Sequence, residues 1–338
     1  MFKRINIFLL TGFFLFSGMV GAYAESLEKV TITEGGRGFF HAPLYVAHGK
    51  GLFEKEGLKV EIVTVRGGNL AMGALVAGQA QFCITSQGLA ANLFLKGKKT
   101  KIVNQMQHRC TLTLIGRPEF QQIKDLKGKF VSCYIGSESD AVLRFLLTKA
   151  GLDPEKDVKI VQVGDGSAMA AALENNKVQA IVGWEPLTSK LISEKKAVCL
   201  ARLNTEEDSI KHLGSPSYAF SAILVTDKYL RRNPNTIQKF VNAMVAAERW
   251  MASHSIEEWV DVVSPYFPGS DKNMLKIPLE NDKNAFSRDG IVTREGHHTA
   301  IKAWMDAGLI KQPVAFEDIV DNSFSQEAQT AIKKTIEQ

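Results

Sequence analysis

Four cysteines are all that the 338 residues contain: Cys83, Cys110, Cys133 and Cys199. None forms a C-x-x-C pair and no histidine stands at zinc-like spacing beside them, so no metal site is expected. All four lie in apolar, strand-like surroundings, where free thiols packing as small hydrophobes are expected. No cysteine precedes Cys83, so no lipid attachment to a cysteine at an N-terminal cleavage site is expected. Charge of one sign is also scarce. The formal net charge is +5, and the one dense basic run is Lys96-Gly97-Lys98-Lys99. A nucleic-acid surface needs a basic stripe or face, so no nucleic-acid partner is expected. Catalytic signatures are missing too. There is no G-x-S-x-G elbow and no P-loop, and His41 and His48 are spaced unlike a zinc H-E-x-x-H pair. Gly35-Gly36-Arg37-Gly38 does not continue into G-x-G-x-x-G. With no nucleophile–base constellation the chain is expected to be non-enzymatic and free of cofactors. No internal repeat or low-complexity segment occurs.

What is present begins at the N-terminus. Lys3 and Arg4 precede an apolar run from Ile5 to about Val20, then Ala22-Tyr23-Ala24 and the charged Glu25. This is the layout of a secretory signal peptide, with cleavage expected after Ala24 and a periplasmic mature protein. The apolar core is short and interrupted by glycine, unlike a membrane span of roughly 20 residues. Removing 24 of the 338 residues leaves 314, and losing Lys3 and Arg4 lowers the net charge to +3. Such a length suits two domains.

From residue 28 onward, short β-branched runs alternate with amphipathic stretches. Strands are expected at 30–33, 59–65, 81–84 and 101–106, with helices at 42–50, 70–77 and 89–95 between them. A second series starts near Pro118, with strands at 129–134, 158–163 and 179–182 and helices at 140–150 and 167–175. Tyr218 to Thr226 is extended, and beyond it helices are expected at 236–252, 256–263, 294–307 and 326–336. This α/β alternation predicts mostly parallel sheets covered by helices. Periodicity alone does not decide between two consecutive domains and one domain interrupted by another.

His41-Ala42-Pro43-Leu44-Tyr45-Val46-Ala47, followed by Gly49-Lys50-Gly51-Leu52-Phe53-Glu54-Lys55-Glu56-Gly57-Leu58, resembles the first helix of the nitrate/sulfonate/taurine-binding family. That family also contains thiamine-pyrimidine-binding proteins. Gly78-Gln79-Ala80-Gln81-Phe82, Asp125-Leu126-Lys127-Gly128-Lys129 and Gly183-Trp184-Glu185-Pro186 resemble its later elements in the same order, over roughly residues 28 to 250. Gln81 departs from the acid that many members carry. The resemblance implies an α/β type II periplasmic binding fold with a discontinuous first lobe, residues 25–116 plus 218–338, and a second lobe of about 117–217. Crossings at Thr111 to Gly116 and Tyr218 to Val225 would form a two-segment hinge. It further implies a monomeric capture subunit of an ABC importer, with a permease and ATPase in the inner membrane as partners and a small molecule as ligand. A periplasmic sensor would use the same cleft. The family's pyrimidine-synthesising branch carries a dense cysteine cluster, which these scattered cysteines do not match.

Ligands of open α/β sheets sit at the carboxyl ends of strands. Four segments place small or polar residues there: Gly67-Gly68-Asn69, Thr85-Ser86-Gln87-Gly88, Gly136-Ser137-Glu138-Ser139-Asp140 and Gly164-Asp165-Gly166-Ser167. Each opens a helix whose N-terminal N–H groups favour anions, or simply caps it. Arg37 is a candidate anion clamp and Phe39 and Phe40 candidate stacking faces. Arg109 is a second candidate clamp, and Trp184 with Glu185 a candidate wall. The candidate ligand residues are therefore Arg37, Phe39, Phe40, Asn69, Thr85, Ser86, Gln87, Arg109, Ser137, Glu138, Ser139, Asp140, Asp165, Trp184 and Glu185. Glu138, Asp140 and Glu185 place carboxylates near the expected ligand. They suit an organic ligand with polar N–H edges better than bare nitrate.

Overall fold

The computed structural model describes residues 26–337; the expected signal segment lies outside the described residues. The described residues form ten strands: β1 (Glu28–Glu34), β2 (Leu58–Thr64), β3 (Phe82–Ser86), β4 (Thr100–Gln105), β5 (Thr113–Gly116), β6 (Phe130–Ser132), β7 (Lys159–Val161), β8 (Ala180–Gly183), β9 (Val198–Arg202) and β10 (Ser221–Thr226). They form two five-stranded sheets, ordered β2-β1-β3-β10-β4 and β7-β6-β8-β5-β9. The first three strands of each order pair in parallel, while β10 and β5 run antiparallel to their neighbours. The alternation read from the sequence gives the parallel part, because each helix returns the chain to start a parallel neighbour.

The two antiparallel strands are where the chain changes sheet. It leaves β4 and enters the second sheet as β5, then leaves β9 and re-enters the first sheet as β10. This corrects the expected boundary. Thr113–Gly116, placed by sequence in the first lobe and its hinge, is an inner strand of the second sheet, paired with both β8 and β9. The crossings hydrogen-bond to each other: Met106 and Gln107 N–H donate to Ser221 O, Phe220 N–H to Gln107 O and Tyr218 N–H to His108 O. Two short strings tied at one level are a hinge in mechanical terms, since bending there breaks no sheet.

Each lobe has its own apolar core. Ile32, Leu44, Tyr45, Phe82, Ile223 and Phe240 fill one side of the first sheet, Leu75, Cys83, Ala90, Leu224 and Trp304 the other. Leu114, Val131, Leu143, Leu146, Ile181 and Leu191 belong to the second. The C-terminal helices pack on the first sheet. The long Pro234–Ser253 helix covers the Ala42–Gly49 helix, and the Arg294–Asp306 helix drives Trp304 against the Gln87–Leu95 helix. Gly88 makes that contact possible, since a Cβ there would stand 2.0 Å from the Trp304 indole nitrogen. Among the described residues no helix is long and apolar enough to cross a membrane. All four cysteines are free; three are buried, whereas Cys199 is exposed, because β9 is an edge strand.

His108 sits beside the hinge, and its pKa is pushed down to about 4 by burial and by Arg109, with Arg288 adding to the shift and Asp289 and Glu206 opposing it. The unfolded chain therefore binds this proton more readily than the folded one. The stability that the neutral ring permits is complete above pH 6.5 and is lost as pH falls towards 4. Its size is at most about 3 kcal/mol, discounted for the solvent that reaches the half-buried ring. In urea unfolding at pH 7.5, 5.5 and 4.5, His108→Gln is expected to lose less stability on acidification than the unaltered protein. Parallel losses would show that His108 does not titrate in this way.

Candidate ligand-binding site

The carboxyl ends of the parallel strands point into the gap between the lobes, and the loops there line a partly open chamber of about 100 Å³. The first lobe contributes Gly35, Gly36, Phe40, His41, Gly68, Thr85, Ser86 and Leu89; Tyr134, Ser137, Glu138, Ser139 and Trp184 face them. Leu112, Phe220 and Ser221, from the crossings, close the back. Trp184 is the dividing element. Its ring stacks on Tyr134 at 5.7 Å and 24°, and Phe40 meets it edge-on at 6.1 Å. Its indole Nε1 donates to Arg37 O at 3.1 Å, and Phe39 N–H donates to Glu185 O at 3.1 Å, so two hydrogen bonds join the lobes beside the chamber. Glycine makes this approach possible. A Cβ on Gly38 would lie 2.7 Å from Trp184 Cδ1, and one on Gly35 would lie 2.4 Å from Gly68 N.

A buried carboxylate fixes each side of the chamber. Glu34, fully enclosed at the end of β1, accepts from Tyr45 OH at 2.6 Å and Thr64 OH at 2.6 Å, meets His41 Nδ1 at 2.8 Å, and pairs with Arg37 at 3.4 Å. Burial alone would raise its pKa, but the bonds and charge of His41, with Thr64 and Tyr45, outweigh this and hold it below the usual carboxylate range. The His41 ring is thus held by one nitrogen while it lines the chamber. On the other side Glu138 opens the Glu138–Lys149 helix and accepts from Tyr218 OH and, at 2.8 Å, from Trp304 Nε1. Burial raises its pKa, and bonds from Ser86, Tyr218 and Trp304 offset only part of that rise. Ser137 OH donates to Tyr134 O at 2.7 Å and Ser139 Oγ accepts from Tyr134 N–H at 3.0 Å, so the turn is braced from within.

Of the residues singled out from sequence, Phe40, Thr85, Ser86, Ser137, Glu138, Ser139 and Trp184 line the chamber. Arg37 and Asp165 lie outside it, on a larger groove of about 860 Å³ that Trp184 also borders. Asn69 sits at the rim and donates to Gly136 O across the gap at 3.4 Å. Five candidates do other work. Phe39 points into the core against Phe267 at 4.6 Å, since the 3-10 turn Phe39–His41 sends neighbouring rings to different sides. Gln87 is buried against His297 at 3.0 Å. Arg109 ties the crossings together through Pro216 O, Asn284 O and Glu206. Asp140 is used by Arg144 at 2.7 Å and by Gly136 N–H at 2.8 Å. Glu185 caps its own following helix through Ser189 N–H and OH. His41, Tyr134, Leu112 and Phe220 line the chamber without having been singled out. For Tyr134 there was a signal, because it ends the strand expected at 129–134, which feeds the serine-rich turn.

Two lobes, a tied double crossing and a chamber lined by both lobes define a periplasmic-binding-protein architecture. Residues 39–258 match the family model described as NMT1/THI5 like, and the chain belongs to that family. It is 26% identical over 322 residues to YtlA of Bacillus subtilis, which is named as a binding protein, covering 93% of this chain and 94% of that one. A solved structure from Bordetella bronchiseptica RB50 superposes with a TM-score of 0.83 at 25% identity, covering 91% of this chain and 99% of that one. The ligand-binding component of an ABC-type import system from Staphylococcus aureus does so with a TM-score of 0.72 at 17% identity, covering 89% and 99%.

Proposed function

We propose that this chain is the periplasmic capture subunit of an ABC-type importer, secreted by a signal peptide cleaved after Ala24, which binds a small organic molecule between its lobes and delivers it to a membrane permease. The observation that carries the reading is the chamber itself. Its walls come from both lobes, and its back is the hydrogen-bonded double crossing, so opening the hinge exposes it and closing the hinge seals it. We divide the lobes near the crossings, with residues 26–106 and 221–337 forming the first and the segment between them the second. Phe40, Trp184 and Tyr134 supply ring faces, and Thr85, Ser86, Ser137, Ser139 and His41 supply polar groups. His41 is held by Glu34, an arrangement that orients a ring for recognition and requires no chemistry on the ligand.

A thermal-shift screen of sulfonates, aromatic carboxylates, pyrimidines, flavins and nitrate tests this, because a ligand that binds only the folded state raises its stability. The hit is expected to contract the protein in small-angle scattering and to be recovered unaltered after prolonged incubation. An unchanged radius of gyration would count against hinge closure, and recovery of a product would replace capture with catalysis.

A further inference from the structure

The chamber is too small for the molecule it is proposed to hold. Ligand pockets are usually roughly 300–1,000 Å³, whereas this chamber has about 100 Å³. It adjoins a space of the right size, with Trp184 standing between the two. Gly36, Tyr134 and Trp184 border both the chamber and the outer groove of about 860 Å³, which runs between the lobes. The groove's walls are apolar: Leu187 and Ile192 on the second lobe, Phe267, Met274, Ile277 and Pro278 on the first. Met274 and Ile277 are 50% and 67% exposed, a cost for a side chain that nothing covers. The charges along the groove are unequal. Among the described residues no ion pair engages Arg66 or Lys190, although Glu194 lies one turn from Lys190, and the buried Nε of Arg202 has no hydrogen-bond partner. The two acids, Asp165 and Asp271, are occupied in capping helices through Ala168 N–H and Asn273 N–H. In the chamber the balance is reversed, since its one carboxyl group, Glu138, is fixed in the wall and no cationic side chain is among the residues lining it apart from the imidazole of His41.

Resting on the reading of the cleft as a capture site, we infer that the ligand is a two-part molecule, with a compact uncharged head in the chamber and an apolar, acid-bearing body along the outer groove. The chamber's lining offers an acidic head no lysine or arginine to pair with. Phe40 and the Tyr134–Trp184 stack favour a flat one, and the hydroxyls of Ser86, Ser137 and Ser139 give it hydrogen-bonding neighbours. Beyond Trp184 the body covers Met274, Ile277 and Leu187, and its acid lies near Arg66 and Lys190.

Calorimetric titration of the full-length mature protein with benzamide and with 4-carbamoylphenyl-alkanoic acids of one to six methylenes tests this. The head is constant and only the body grows. Affinity is expected to rise roughly 4-fold per methylene over the first few additions, the value of a buried CH₂. Replacing the acid by a primary alcohol of equal length should weaken binding roughly 2- to 5-fold, as for a solvent-exposed ion pair. Arg66→Ala with Lys190→Ala should abolish that acid–alcohol difference, and Met274→Ser with Ile277→Ser should flatten the chain-length dependence. Both variants change exposed residues, and an unaltered unfolding midpoint without ligand shows that they fold. If benzamide binds but longer members gain nothing, the two-part inference fails while the capture reading stands. If the acids bind no better than the alcohols, the acid-bearing body is wrong. If no member binds while another class stabilises the protein in the thermal-shift screen, the uncharged head is wrong; if no class stabilises it, the capture reading falls as well.

Discussion

Glu138→Ala is expected to cost about 2–6 kcal/mol of stability, because it strands two buried donors at about 1–3 kcal/mol each. The Tyr218 hydroxyl and the Trp304 indole N–H both donate to this carboxyl group, and neither side chain has any exposed surface. Glu138→Gln preserves the shape and one acceptor, but its amide nitrogen must face a donor, so an intermediate loss is expected. The effect also depends on pH. Burial holds the proton on Glu138 above the ordinary value of 4.5. The folded chain therefore binds more protons here than the unfolded one, and this group's contribution is fully present below 4.5 and lost as pH rises through the folded pKa. The deficit of the Ala variant should accordingly be larger at pH 5 than at pH 8. Urea unfolding at both values measures it. A deficit below about 1 kcal/mol at both would mean that Tyr218 and Trp304 find other acceptors and that the bond network does not hold the lobes' junction.

How far this arrangement could be read from the sequence follows from the distance over which each feature is determined. The alternating strands and helices were legible because each is set by neighbours a few residues apart: the alternation in Val30-Thr31-Ile32-Thr33, Pro43 in a first turn, the β-branched Lys59–Val65 run. Strand β9 was missed because Val198–Arg202 follows the charged Glu194-Lys195-Lys196 and lies at a sheet edge, where one face needs no apolar residues. β5 was read as a crossing because four residues carry little period. The turns that ring the chamber were legible as strand-to-helix junctions, and Trp184 as a residue just after β8. The use of each polar side chain was not. Glu138 is claimed by Trp304, 166 residues away, and Arg109 by Pro216, 107 residues away. Nothing near either residue distinguishes a ligand clamp from a structural tie. Phe39 and Phe40 are adjacent and chemically identical, and only the 3-10 turn decides which one enters the core.

The same geometry makes Trp184 the side chain on which the cleft depends most. It is 7% exposed, stacks on Tyr134, bonds to Arg37 O and borders both the chamber and the groove. Trp184→Ala is expected to cost about 3–5 kcal/mol of stability, the usual range for removing a buried aromatic residue. Two further losses accompany it. Chamber and groove merge into one wet space, and the Arg37 carbonyl loses its donor from the other lobe. Affinity for whichever compound the thermal-shift screen identifies should fall roughly 10- to 100-fold, since a ring face and its aromatic pairing contribute about 1.5–3 kcal/mol on burial. Trp184→Phe separates the contributions. It retains a ring to stack on Tyr134 but cannot donate to Arg37 O, so its stability loss should include about 0.5–1.5 kcal/mol for the hydrogen bond. Calorimetry on both variants, with urea unfolding to report the stability change separately, distinguishes a binding wall from a packing residue. If Trp184→Ala loses the expected stability but binds the compound as tightly as the unaltered protein, the indole is only part of the core. The ligand would then have to lie elsewhere in the gap between the lobes.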